Sequence, residues 1–162
     1  SLTAARAVIP GRRAIPQKKK KKTKNITATD TGKVDAYLVP EDARLGTLPR
    51  HFGIHMLTVE GRIYDFMSQF ASAYDGGLWK FYELSNGGFY MSPPEASYEI
   101  LVDSNGFRGR MSADAVGITC CLFAFSHLSF EYTAEMFSRH YGLLYDYAKE
   151  HPEAGLIFAA CD

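Results

Sequence analysis

The sequence predicts an α+β fold: a small antiparallel sheet of hairpins packed against several helices in a single compact domain. Three observations carry this. Asn86-Gly87 and Asn105-Gly106 each lie between apolar, strand-like runs, the strongest short-range hairpin signal a sequence offers. A helical stripe precedes these hairpins, and a nearly all-apolar helix with two further helical stretches follows them. Antiparallel strands bracketed by helices place those helices on one face of the sheet.

The elements follow in order. The folded body starts near Val34. Ile63, Phe66, Met67, Phe70 and Tyr74 recur at spacings of three and four, which predicts a helix over 56–74. Residues 77–85, "GLWKFYELS", are aromatic-rich and strand-like. Gly87 and Gly88 supply positive φ at the turn into a second strand over 88–92, which Pro93-Pro94 stops. Residues 97–103 and 107–111 form the second hairpin. Ser112 is placed to N-cap a helix, with Asp114 in its first turn, where the helix dipole favours an anion. "ADAVGITCCLFAFSHLSF" is apolar almost all round, as a buried central helix should be. Thr133 starts another helix, and Pro152 is the first residue of a short last one.

With 162 residues and 46% hydrophobic content, including ten Tyr and eleven Phe, the chain is long and apolar enough to bury a substantial core. Its zero net charge conceals a split. Residues 1–33 hold ten Lys or Arg against one acid, whereas residues 34–162 hold eight basic and seventeen acidic residues. A basic, flexible arm (1–33) precedes an acidic body (34–162). The run Lys18, Lys19, Lys20, Lys21 and Lys22 is a nucleic-acid contact in the functional reading, since lysines neutralise phosphates and release counterions. No aromatic residue is interleaved with the run, so base stacking on the arm is not expected. Three cysteines, two of them adjacent, form no disulfide framework and point to reduced thiols in a cytoplasmic protein. Neither an apolar run approaching the ~18 residues of a membrane span nor a secretory leader before the body is expected.

Signatures of chemistry fare poorly. His51 and His55 have a spacing that could ligate zinc on one helical face, but Pro49 and Gly53 disturb the helix and no CxxC adds ligands. Cys120 and Cys121 sit mid-helix in apolar company, with His127 off their face, so they read as core and not as nucleophiles. The acids form no obvious general acid–base pair. The glycines at 87–88 lead into "FYM" and not into a helix, so the stretch is a hairpin and not a phosphate loop. These residues predict no enzyme, no cofactor and no metal.

Four blocks, "LPRHFG" (48–53), "GGLWKFYELSNGGFYMSP" (76–93), "SADAVGI" (112–118) and "YDYAKEHPEAGLIFAACD" (145–162), together resemble the antirestriction family of the ArdB/KlcA type. The resemblance spans about residues 45–162 and leaves the arm outside. It implies a protein of plasmids and other mobile elements that shields incoming DNA from the host's type I restriction-modification enzymes, acting on them directly or indirectly. It also implies a compact α+β fold without catalytic machinery, and no strong DNA binding beyond what the arm provides. The alternative is a nucleic-acid-binding accessory protein of a plasmid or phage that uses the arm. The candidate interaction surface comprises Arg50 and His51 in the first block, Trp79 and Tyr82 before the hairpin turn, Asn86 at its tip, and Asp114.

Overall fold

The computed structural model describes residues 32–162, so the lysine run lies outside the described residues. The chain runs through β1 (Ala36–Leu38), a 3₁₀ turn (Glu41–Gly46), α1 (Thr47–Phe52), a second 3₁₀ turn (Gly53–His55) and α2 (Met56–Phe70). Two hairpins follow, β2 (Lys80–Leu84) with β3 (Phe89–Ser92), then β4 (Ser97–Val102) with β5 (Phe107–Ser112). Three helices close the fold: α3 (Ala113–Glu131), α4 (Glu135–Ala148) and α5 (Ala154–Cys161).

The strands form two sheets where the sequence predicted one: β1-β2-β3 and β4-β5, both antiparallel. Pro93-Pro94 separates them. Proline has no N–H to donate, so the ladder ends at Ser92 and the chain turns away before β4 begins. In the first hairpin Tyr82 pairs with Tyr90 and Glu83 with Phe89; in the second Val102 pairs with Phe107.

The core is built round α3. Eleven of its nineteen residues are buried, and it touches α2, α4, α5 and strands of both sheets. Ser112 caps it as expected, its hydroxyl accepting from the Ala115 N–H at 3.1 Å. A side chain at Gly117 would meet the Met91 carbonyl oxygen at 2.1 Å, so glycine is what lets α3 lie directly on β3. By length and composition α3 also qualifies as a membrane span, contrary to the expectation that no such run exists. In the fold its apolar surface is satisfied by the surrounding protein, with 61% of that window buried.

Several boundaries shift. α2 ends at Phe70, with Ala71 already extended, so Tyr74 lies beyond it and reaches the core through another contact described below. Thr133 is not a cap: Ala134 precedes α4 and makes no side-chain cap bond. Pro152 sits two residues before α5, in the turn leading to Glu153. Gly87 has the positive φ expected of it (95°), whereas Gly88 does not. At Gly88 space is tight instead: a Cβ there would lie 3.0 Å from both the Leu143 and Leu84 side chains, which would have to give way.

Each hairpin is fastened to a helix by its turn asparagine. Asn86 accepts from the Gly88 N–H and donates to the Leu143 carbonyl of α4, both at 3.0 Å. Asn105 accepts from the Phe107 N–H and donates to the Ala160 carbonyl of α5, both at 2.9 Å. The Asn-Gly signal therefore specifies the turns and also seats them on the helices.

Candidate functional site

Tyr82 and Glu83 are consecutive on β2, so they face opposite sides of the sheet. Each organises a polar cluster.

On one side, Glu83 receives two residues of α1. Arg50 pairs with one carboxylate oxygen, and the His51 Nε2 lies 2.7 Å from the other. Burial alone would raise the Glu83 pKa. Hydrogen bonding and charge from His51, then from Arg50, outweigh that and hold the carboxyl below its ordinary range. The His51 ring meets the edge of His140 at 5.0 Å. His140 is buried beneath Phe52, with ring centroids 4.6 Å apart, and its Nδ1 has no hydrogen-bond partner. Burial, then the nearby positive potential of His51 and Arg139, pushes the His140 pKa down to about 3. His140 is thus neutral at physiological pH.

On the other side, Tyr82 stacks on Tyr90 with centroids 4.8 Å apart, and Tyr90 stacks on Tyr147 of α4 at 5.6 Å. The Tyr90 hydroxyl donates to Asp114 at 2.6 Å, and His151 donates from Nε2 to the other Asp114 oxygen at 2.8 Å. The Glu153 backbone N–H donates to the His151 Nδ1 at 2.9 Å, which fixes the tautomer: Nδ1 offers its lone pair and Nε2 carries the proton. The Glu153 carboxylate closes the network by accepting from both the N–H and the hydroxyl of Ser112. Burial would raise the Asp114 pKa, but hydrogen bonds from His151 and Tyr90 hold it below the usual range. Burial, followed by the bond to Asp114, pushes the Tyr90 phenol up.

The four sequence blocks thus meet in space. Block one supplies Arg50 and His51. Block two supplies Tyr82, Glu83 and Tyr90. Block three supplies Ser112 and Asp114, and block four Tyr147, His151 and Glu153. Of the predicted surface residues, Arg50 is exposed, His51, Tyr82 and Asp114 are half-buried within these contacts, and Asn86 is half-buried apart from them, against the Leu143 carbonyl. Trp79 departs from the prediction. It is only 1% exposed; its indole N–H donates to the Tyr74 hydroxyl at 2.9 Å, and its carbonyl accepts from Arg44. An aromatic ring of that size gains most by burial, so Trp79 belongs to the core and not to a contact surface.

Sequence reasoning missed Glu83, Tyr90, Tyr147, His151, Glu153 and His140. Two signals were there to read. Glu83 is the one acid in a strand of otherwise apolar and aromatic side chains apart from Lys80, and the block beginning at Tyr145 is dense in hydrogen-bonding residues.

The chemistry open to these groups is narrow. Asp114 and His151 have the spacing of an orienting carboxylate and its histidine, but both imidazole nitrogens are engaged, so His151 has none left to take a proton from a substrate. Burial raises the Cys120 thiol pKa and pushes Cys121 up to about 12, so neither is a thiolate near neutral pH. Cys161 is likewise pushed up to about 12 by burial. His51 and His55 have different neighbours: Glu83 for the first, the rings of Tyr132 and Phe137 for the second. Among the described residues no group of three His, Cys, Asp or Glu could hold a metal ion.

Comparison with known proteins decides the family. Residues 72–162 match the profile described as "Antirestriction protein". Antirestriction protein KlcA of Escherichia coli is 43% identical over 132 residues, covering 76% of this chain and 90% of that protein.

The chain belongs to the antirestriction protein family.

Other relatives in the family's range include the uncharacterised protein YfjX of Escherichia coli K12, 38% identical over 129 residues and covering 76% of this chain and 85% of that protein. A solved structure superposes with a TM-score of 0.75 at 40% identity, covering 88% of this chain and all of its own. That work describes the KlcA and ArdB proteins as showing a novel fold and antirestriction activity against type I DNA restriction systems in vivo but not in vitro. In this chain the four blocks tie the first hairpin to α1, α3 and the α4–α5 turn.

Proposed function

We propose that this chain shields incoming DNA by inhibiting the type I restriction-modification system of a bacterial host, through protein interaction and without catalysis, in the cytoplasm. The observation that carries the reading is the likeness to the solved KlcA and ArdB structure over 88% of the chain at 40% identity. Two further features support it. In the Asp114 cluster both imidazole nitrogens of His151 are engaged in hydrogen bonds, which suits a rigid scaffold better than a site of proton transfer. Activity of those relatives in vivo but not in vitro favours an indirect route, in which a cellular component stands between the protein and the restriction enzyme. Arg50, His51, Tyr82, Asn86 and Asp114 then shape and support the surface beside the first hairpin.

The test is to plate unmodified phage on a type I restricting host with and without the protein. Protection is expected. Unchanged restriction at good soluble expression would refute the reading.

A second reading, a nucleic-acid-binding accessory protein, is favoured by the ten basic residues in 1–33. It requires DNA affinity that falls steeply with salt and disappears when residues 1–33 are deleted.

A further inference from the structure

Three strongly exposed apolar side chains lie close together in the chain, on the segment that leads into α2; Phe130, 88% exposed near the end of α3, stands apart from them in sequence. Leu45 and Ile54 are each 94% exposed and Leu57 is 70% exposed. Two of them share a groove, and the helical spacing puts the third beside it. Leu45 and Leu57 line a single groove of about 220 Å³ floored by Leu48, Met56 and Phe81. Ile54 lies three residues before Leu57 where the 3₁₀ turn runs into α2, so the two are neighbours on one side of the helix. Single exposed leucines need no explanation, but contiguous apolar patches of a few hundred Å² on a folded domain mark interaction sites.

The charges around this face give the partner its sign. Asp42 is three residues before Leu45 in a 3₁₀ turn, where residues so spaced eclipse one another. Glu41 and Asp42 are exposed, and neither enters any ion pair among the described residues. Glu60 lines the groove one turn from Leu57. The one cation in the groove, Arg44, is turned inward: its guanidinium lies 4.3 Å from the centre of the Phe81 ring and donates to the Trp79 carbonyl. Arg50, exposed and bonded to the Gly46 carbonyl beside Leu45, is close by but is paired with Glu83. An apolar centre with a rim of net negative charge results. A second copy docking by two-fold symmetry would bring that rim against itself, which disfavours self-association.

We propose that the face of Leu45, Ile54 and Leu57 is the surface by which this protein engages its target, and that the target presents an apolar protein segment flanked by basic side chains. This rests on the antirestriction reading and names the kind of partner that reading requires.

The test uses charge sign at a bare position. Ile54→Lys and Ile54→Glu are compared with the wild-type full chain for protection of unmodified phage on a type I restricting host. Both remove the apolar anchor, but only lysine adds repulsion to a basic partner. Protection is expected to fall by at least about tenfold with Ile54→Lys and distinctly less with Ile54→Glu. Melting temperatures should match the wild type, because the side chain has almost no intramolecular contact. Equal protection by all three proteins, or a larger loss with glutamate, overturns the proposal. Two other occupants are read in parallel. A dimer of the wild type that Ile54→Lys dissociates in sedimentation assigns the face to a second copy. A rise in hydrophobic-dye binding on deleting residues 1–33, abolished by Ile54→Lys, assigns it to the chain's own arm. Either result overturns the proposal. Failure of the wild type to protect at all is a separate outcome, which refutes the antirestriction reading itself.

Discussion

Lowering the pH from 7 to 5 should destabilise this protein through one buried ring, that of His140. An unfolded histidine titrates near 6.5, and the His140 pKa in the fold is pushed down to about 3. Between those values the unfolded chain binds a proton that the native state refuses. Stability is therefore fully present above the unfolded pKa and is lost as pH falls through the window from 6.5 towards 3. At pH 5 the unfolded ring is protonated in the ratio set by 1.5 pH units, which costs the native state about 2 kcal/mol. Glu83 and Asp114, with pKa values held below the carboxylate range, lose their stabilising bonds only at lower pH, so pH 5 isolates the histidine. His140→Phe removes the titration and keeps an aromatic ring in a pocket bounded by Phe52, Phe125 and His51. Urea unfolding of both proteins at pH 7 and pH 5 measures the effect. The other histidines are common to both, so they largely cancel in the comparison. The wild type should lose about 2 kcal/mol more than His140→Phe over that interval. Equal losses would show that His140 is not held neutral and would refute the reasoning.

Two further perturbations probe the packing. Asp114→Ala strands the Tyr90 hydroxyl and the His151 Nε2–H, and should cost about 2–3 kcal/mol in urea unfolding at pH 7, charge-assisted hydrogen bonds being the stronger kind. Gly117→Ala forces a methyl group onto the Met91 carbonyl, where backbone must move on one side or the other, and should lower stability by about 3 kcal/mol in thermal or urea melts.

The sequence was most legible where structure is local. Asn-Gly pairs between apolar runs placed both hairpins because turn chemistry acts over two or three residues. Ser112 was readable as a cap for the same reason, its hydroxyl reaching only three residues ahead. β1 was not visible: it is three residues long, with Tyr37 and Leu38 exposed, and it exists because β2 offers it an edge. The division into two sheets hid behind Pro93-Pro94, which was read as a strand end and not as a separation between sheets. The site was half legible. Arg50, His51, Tyr82, Asn86 and Asp114 were named, but their partners lie far along the chain: Glu83 is 32 residues from His51, and His151 is 37 from Asp114. Pairings of that range depend on tertiary packing, which no local pattern encodes. Trp79 was misplaced because a strand aromatic beside a turn looks the same whether it faces the core or solvent. Its burial depends on Tyr74 and Tyr64, whose rings close over it.

The account turns on whether this antirestriction protein protects DNA in a restricting cell. The most direct measurement is the plating efficiency of unmodified phage on a type I restricting host expressing the chain, set against an isogenic host that lacks restriction. The account predicts that expression raises plating on the restricting host towards the level of the restriction-deficient one and leaves the latter unchanged. Plating that stays at the fully restricted level, with the protein soluble and abundant, would contradict it.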